Sequence, residues 1–320
     1  MSFTTLKKHY NSSMRIVLPG ALPDPAQARE LIPHVEQQAP SLVKWLRAAR
    51  ATVTPADPNH TGCTPVEYWQ LCALGFTPGS GQNFATGLGP FLYGLPDCPP
   101  SEPVWLVELV HVSPARDGAA LLPAGSLDIS AEQNQALLQS VSATFAAHGF
   151  TVQAAGEHHW RVTLPPDCQP FVVSPTLVSQ TSVNAWWSQA PESRAWRRLV
   201  NEVQMLWFDH PVNSERYTQQ RVPVNSLWLF GGASAAQFKQ KTLENTRIIP
   251  VLAEPALHQD WGLWLQELGT LNTLFESPLT ELVLTGNDRI ITLCPAPLER
   301  LKNLLALSTN AWRTWWSPRN

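Results

Sequence analysis

The chain has 320 residues, of which 44% are hydrophobic and 15% charged, and it carries a net charge of −3. A chain of this length builds one large or two ordinary domains, and a charged share well below the usual one of about 25% marks an ordered sequence. Near-neutral charge leaves no electrostatic footprint for nucleic acid or anionic membranes, and no apolar run approaches the roughly 20 residues that cross a bilayer.

The opening residues, MSFTTLKKHYNSS, hold lysines but no apolar core of a secretory signal, and Met14 is a candidate start because the first strand pattern begins there. Cysteines at 63, 72, 98, 168 and 294 are odd in number and form no CxxC pair. Free thiols in a reducing cytoplasm are the expectation. Trp is unusually frequent at 14 residues, with doublets at Trp186-Trp187 and Trp315-Trp316. Aromatic bulk of this kind fills cores and interdomain contacts; the C-terminal cluster is also a candidate surface for a protein partner.

In chain order, 16–18 reads as a short buried strand closed by Pro19-Gly20. Helices follow over 26–34 and 41–51, a Pro-rich loop over 52–62, a helix over 65–74 and a Gly-rich loop over 80–89. From Gly89 the character changes. Residues 104–112 form a strand with aliphatic side chains on both faces, and 118–122 can pair with it. Ser130 caps a helix whose Leu137, Leu138, Val141 and Phe145 recur at helical spacing, and Gly149 ends it. Strands follow at 151–154 and 160–164. Helix 193–209 then returns the chain to its first region. Strands at 226–230, 247–252, 281–285 and 289–294 alternate with helices at 235–242, 255–268 and 296–310, the pattern of a largely parallel sheet flanked by helices. The expected organisation is a discontinuous α/β core domain over 1–88 and 191–320, interrupted by an inserted α+β domain over 89–190.

Residues 201–232 carry the densest chemistry. A helical pattern runs into His210-Pro211-Val212-Asn213, a short helix holds Glu215 and Arg216, and Pro223-Val224-Asn225 leads into a strand that stops on Gly231-Gly232. His210, Asn213 and Arg216 are three good anion or carbonyl recognisers within seven residues, and a glycine pair at a strand end lets a ligand approach the backbone. Helix capping and a glycine turn explain the same residues. Other constellations are weaker. Glu157-His158-His159 alternates across a strand's faces. His258 and Asp260 adjoin a Trp-rich amphipathic helix. Ser234 lacks the final glycine of a nucleophile elbow and reads as a helix cap. Gly79-Ser80-Gly81 lacks the Lys-Ser or Lys-Thr of a phosphate-binding loop. Arg194, Arg197 and Arg198 read as solvated positions beside Glu192 and Glu202.

The run His210-Pro211-Val212-Asn213, Arg216, Asn225, Gly231-Gly232, together with Gly87-Leu88-Gly89-Pro90-Phe91, resembles the archaeal-type cofactor-independent phosphoglycerate mutases of the alkaline-phosphatase-like superfamily. IVLPGAL, NEVQML…HPVN, PVNSLWL and the Trp-rich C-terminus are similar to the bacterial RpfE-type regulatory group. The resemblance implies an alkaline-phosphatase-like fold with a substrate-side inserted domain. Active relatives hold two divalent metals with Asp and His side chains, some of them just after the first strand. Here that strand runs into Leu18-Pro19-Gly20-Ala21, with no carboxylate before Asp24, and proline cannot ligate a metal. Leu88 stands where the family has an arginine, and the strand over 105–112 carries none, so the guanidinium forks that hold phosphate are depleted. The residues therefore point to a degenerate relative, a pseudoenzyme with no metal or cofactor. It would bind a small phosphorylated or anionic metabolite, or act as a regulatory protein, through His210, Asn213, Arg216, Asn225, Gly231 and Gly232 at the strand end where open α/β sheets take ligands. Two other readings stay open: an active mutase or phosphohydrolase with rearranged metal ligands, and a protein-interaction scaffold using the Trp-rich C-terminus.

Overall fold

The computed structural model describes residues 14–116, 118–276, 279–295 and 310–318. In chain order, the principal elements begin with β1 (Arg15–Leu18), α1 (Pro25–Gln38), α2 (Pro40–Ala48) and β2 (Ala49–Pro55). They continue with α3 (Pro65–Ala73), α4 (Leu88–Tyr93), β3 (Val104–Ala115), β4 (Gly118–Leu122), α5 (Ala131–Ala147), β5 (Thr151–Ala154) and β6 (His159–Thr163). Then come α6 (Pro175–Ser179), α7 (Val183–Trp186), α8 (Arg194–Phe208), α9 (Pro211–Thr218) and β7 (Ser226–Ala233). The chain ends with β8 (Thr246–Ile248), α10 (Ala253–Leu257), α11 (Trp261–Thr270), β9 (Glu281–Thr285), β10 (Arg289–Pro295) and α12 (Trp312–Trp316). The helix expected over 296–310 lies almost wholly outside the described residues, as do the first thirteen positions.

Contacts divide the chain into two units, 1–58 with 243–320, and 59–242. The first is an α/β unit around a five-stranded sheet of order β2-β10-β9-β1-β8. β1 pairs in parallel with β8 and β9, while β10 is antiparallel to β9 and β2, so the sheet is mixed. Ile16, Val17 and Leu18 are fully buried, as an interior strand of a sheet covered on both faces requires. α1 presents Ala28, Leu31, Ile32 and Val35 to the core, and α11 presents Trp264 and Leu268. β2 takes in 49–51, expected to end a helix, and 52–55, expected to begin a loop. It is an edge strand with an exposed Val53 and ends on Pro55, the place where a sheet tolerates proline.

The second unit is antiparallel. β3 pairs with β4 and β6 along one edge and with β7 along the other, and β6 carries β5. Strand 226–230 was expected in the core sheet. It pairs instead with β3, so 191–242 sits with 89–190 in this unit and the expected boundaries at 88 and 190 are not the observed ones. Every residue of β7 is buried, because α5 and α8 cover one face through Leu137, Val141, Phe145, Leu199, Val203 and Trp207. On the other face, Trp228 packs with Val110, Val173, Leu177 and Val178. Fully burying one such aliphatic side chain contributes roughly 1.5–3 kcal/mol. The helix expected over 235–242 is a single turn, Ala235–Gln237, closed by a capping box between Ser234 and Gln237.

All five thiols are free; Cys63, Cys98 and Cys168 are buried and Cys72 is exposed. No helix among the described residues is long and apolar enough to cross a membrane.

Candidate functional site

His210 is the N-cap of α9: its Nδ1 accepts the Val212 N–H at 3.2 Å, and Pro211 takes the first helical position. An accepting Nδ1 places the ring proton on Nε2, and burial lowers the pKa below 6.5, which favours the neutral ring. Asn213 is 1% exposed. Its Nδ2 donates to the carbonyls of Trp207 and Val224, each at 2.8 Å, and its Oδ1 accepts the Val224 N–H at 2.9 Å. It thus clips the end of α8 to the lead-in of β7. Asn225 behaves as one more rung of the ladder, with Oδ1 accepting the Val112 N–H at 2.7 Å and Nδ2 donating to the Val112 carbonyl at 2.8 Å.

Arg216 is completely buried. Nε donates to the Val222 carbonyl at 2.8 Å, Nη1 to Gln133 Oε1 at 2.7 Å and to the Asp128 carbonyl at 3.4 Å, and Nη2 to the Leu127 carbonyl. Burial, and then the nearby Arg221, lower its pKa. Four of its five N–H groups are engaged, so the fork that matches an anion instead ties α9 to the segment before α5.

The glycine pair answers to packing. Gly231 has φ +91° and Gly232 φ +107°. β7 does not stop there but continues to Ala233, with an irregularity where Val104 pairs with Ala233 and Trp105 with Gly231. A Cβ on Gly231 would stand 2.5 Å from the Val104 carbonyl oxygen and 2.8 Å from Gly89 Cα. On Gly89 it would stand 2.0 Å from the same oxygen. Gly89, which opens the segment read as the entry into the insertion, is therefore the partner that Gly231 needs. The expected anion cluster of His210, Asn213, Arg216 and Asn225 exists as neighbouring residues in one unit, but Asn213 and Asn225 turn their polar groups onto backbone, and Arg216 onto backbone and Gln133.

In the first unit, the carboxyl ends of β1 and β9 mark the crevice where open α/β sheets bind ligands. The chain itself fills it. The Leu22 N–H donates to the Thr285 carbonyl at 3.2 Å, and Trp264 Nε1 donates to the Gly20 carbonyl at 2.9 Å. Ala21 and Leu22 are buried. A Cβ on Gly20 would lie 2.6 Å from the Leu252 carbonyl oxygen. The nearest carboxylate along the chain, Asp24, accepts a hydrogen bond from Asn287 Nδ2 at 3.3 Å. The described residues contain no group of three His, Cys, Asp or Glu side chains able to hold a metal ion, so they do not fit the two-metal centre that the resemblance implies. Asp260 caps α11 through the Leu263 N–H at 3.0 Å. Trp312 and Trp316 are 2% and 1% exposed in the core of this unit, so these two C-terminal tryptophans do not form an outward surface.

Sequence reasoning missed a cavity of about 370 Å³ in the second unit. Trp187, Trp228, Val112 and Val183 supply its apolar lining. Asn184, Gln189, Asn201, Gln204 and Ser226 supply its polar lining. The Trp186-Trp187 doublet was the one signal available for it; amides scattered over three segments look like solvated surface.

No protein-family model matches the chain. A stretch of 139 residues, 42% of the chain, is 25% identical to a probable 2,3-bisphosphoglycerate-independent phosphoglycerate mutase of Geobacter sulfurreducens, and the match spans 35% of that protein's length. Among solved structures, the cofactor-independent phosphoglycerate mutase from Thermoplasma acidophilum aligns at 15% identity over 88% of this chain and 89% of its own, with a TM-score of 0.33. The PH0037 protein from Pyrococcus horikoshii aligns at 14% identity over 88% and 87%, with a TM-score of 0.42. The chain is distantly similar, over part of its length, to cofactor-independent phosphoglycerate mutases.

Proposed function

We propose that this chain is a non-catalytic relative of the phosphoglycerate mutases that works by binding, in a regulatory role. The observation that carries this reading is the closed strand end in the first unit. Leu22 is hydrogen-bonded to Thr285, and Trp264 to Gly20, where catalysis of this kind needs open space and converging metal ligands. Phosphoryl transfer depends on cations and guanidinium groups that neutralise charge in the transition state. The guanidinium of Arg216 is engaged by Val222, Gln133, Asp128 and Leu127. His210, Asn213, Arg216 and Asn225 are accordingly a framework that holds α8, α9 and β7 together, a part they are equally able to play in an active relative. The regulatory role itself rests on the resemblance to the RpfE-type group.

The test is turnover of 3-phosphoglycerate by the full chain with Mg²⁺ or Mn²⁺ supplied. The reading expects no 2-phosphoglycerate above the protein-free control with either ion. Metal-dependent turnover that disappears in Asp24→Asn contradicts it and makes the chain an enzyme with rearranged ligands.

A further inference from the structure

We propose that the cavity beside Trp187 and Trp228 is a binding site for a neutral saccharide of one or two rings. This goes beyond the reading above and does not rest on it. The volume of about 370 Å³ falls within the range of small-ligand sites, about 300–1,000 Å³. Its walls come from several elements: Asn201 and Gln204 lie three apart on α8, Ser226 opens β7, Val112 lies on β3, Val183 and Asn184 belong to α7, and Trp187 and Gln189 follow α7.

Three features define the ligand chemistry. First, no charged side chain lines the cavity. An anion brought here would meet no cation to pair with, so the lining favours a neutral molecule. Second, the polar groups are planar amides and one hydroxyl, and most are free to bind. The side chains of Asn184, Gln189 and Asn201 and the indole N–H of Trp187 make no hydrogen bond to the described residues. Gln204 Nε2 donates to Ser226 Oγ at 3.2 Å, which leaves the Gln204 carbonyl oxygen and the Ser226 proton available. Amides offer a donor and an acceptor side by side, the pattern that adjacent sugar hydroxyls match. Third, the Trp187 and Trp228 rings stand 5.8 Å apart between centroids and are tilted by 47°. A flat base held between two faces needs parallel rings about 7 Å apart, twice the contact distance of roughly 3.5 Å. A tilted, touching pair gives an angled apolar wall instead, which suits the C–H edge of a puckered ring. Trp228 is fixed in place, since its Nε1 donates to the Val173 carbonyl at 2.9 Å.

The experiment is saturation-transfer NMR on the full chain with methyl glucoside, maltose, cellobiose, trehalose and N-acetylglucosamine as probes. Glucose 6-phosphate and uridine serve as comparison ligands. At least one neutral sugar should give saturable binding and alter tryptophan fluorescence. Asn201→Ala, on the exposed face of α8 and therefore harmless to folding, should weaken it at least about tenfold, the penalty for removing a built hydrogen-bond partner of a hydroxyl. Trp187→Leu should abolish it. The proposal is overturned if no sugar binds, if glucose 6-phosphate or uridine binds more tightly than every neutral sugar, or if Asn201→Ala leaves sugar affinity unchanged.

Discussion

Replacing Arg216 separates a framework arginine from an anion receptor. In Arg216→Ala the carbonyls of Val222 and Leu127 and the amide oxygen of Gln133 lose a charged donor. Each buried acceptor left unpaired costs roughly 1–3 kcal/mol, and the vacated volume adds a cavity term wherever the neighbours do not close in. Relief from holding a guanidinium out of water, worth several kcal/mol, opposes both. The net is a loss of about 3–5 kcal/mol, the usual result of breaking a buried charged network. Arg216→Lys keeps the charge but presents no planar fork, and most of the loss should remain. Arg221 is the control: it pairs with Asp128 at the surface, so Arg221→Ala should cost less than about 1 kcal/mol. Urea unfolding followed by tryptophan fluorescence gives the numbers. Hydrogen exchange of the amides over 127–133 and 213–224 confirms that the loss is local, because a chain of two units need not unfold in one step. An Arg216→Ala protein within about 1 kcal/mol of the parent refutes the framework role.

Three further outcomes follow from the same geometry. Gly231→Ala and Gly89→Ala each drive a methyl group into the Val104 carbonyl and should each destabilise by at least about 3 kcal/mol or prevent folding; thermal melts at or near the parent value contradict the packing account. Burial raises the Glu67 carboxyl above 4.5, outweighing hydrogen bonds from Ser174 and Thr64. The unfolded chain releases that proton first as pH rises, so this residue lowers stability from pH 4.5 up to its folded value. Glu67→Gln should flatten that decline in urea titrations. For His111, burial lowers the pKa below 6.5 despite the bond from Nδ1 to the Pro223 carbonyl, and His210 is lowered by burial as well. The unfolded state therefore binds protons first on acidification, and stability falls from pH 6.5 downward. The double variant His111→Asn with His210→Asn should lose part of that acid sensitivity.

Local structure was legible where a signal was local. Ser130 and Gly149 bracket α5 as helix caps do, and the apolar spacing of Leu137, Val141 and Phe145 gave its buried face. Partner choice between strands was not legible. β7 is apolar throughout, so its composition fits a parallel core strand as well as an antiparallel one; its pairing with β3 depends on a contact between Gly231 and Gly89, far apart in sequence. β2 was hidden because an exposed edge strand ending on proline reads as a loop. At the candidate site, the sequence located His210, Asn213, Arg216 and Asn225 but not the direction of their polar atoms. A side chain that recognises carbonyls in a ligand also recognises those of its own backbone, and only the fold shows which it meets. The amides around Trp187 and Trp228 gave no signal because they gather from α7, α8 and the segment between them.

In the first unit the strand end is closed, and its described residues hold no ligand set for divalent metal. Electron paramagnetic resonance of the full chain equilibrated with Mn²⁺ tests it most directly. The expected result is the spectrum of free aqueous Mn²⁺ at ratios where an active relative is loaded. A stoichiometric, spin-coupled dinuclear signal that is lost in Asp24→Asn would contradict it.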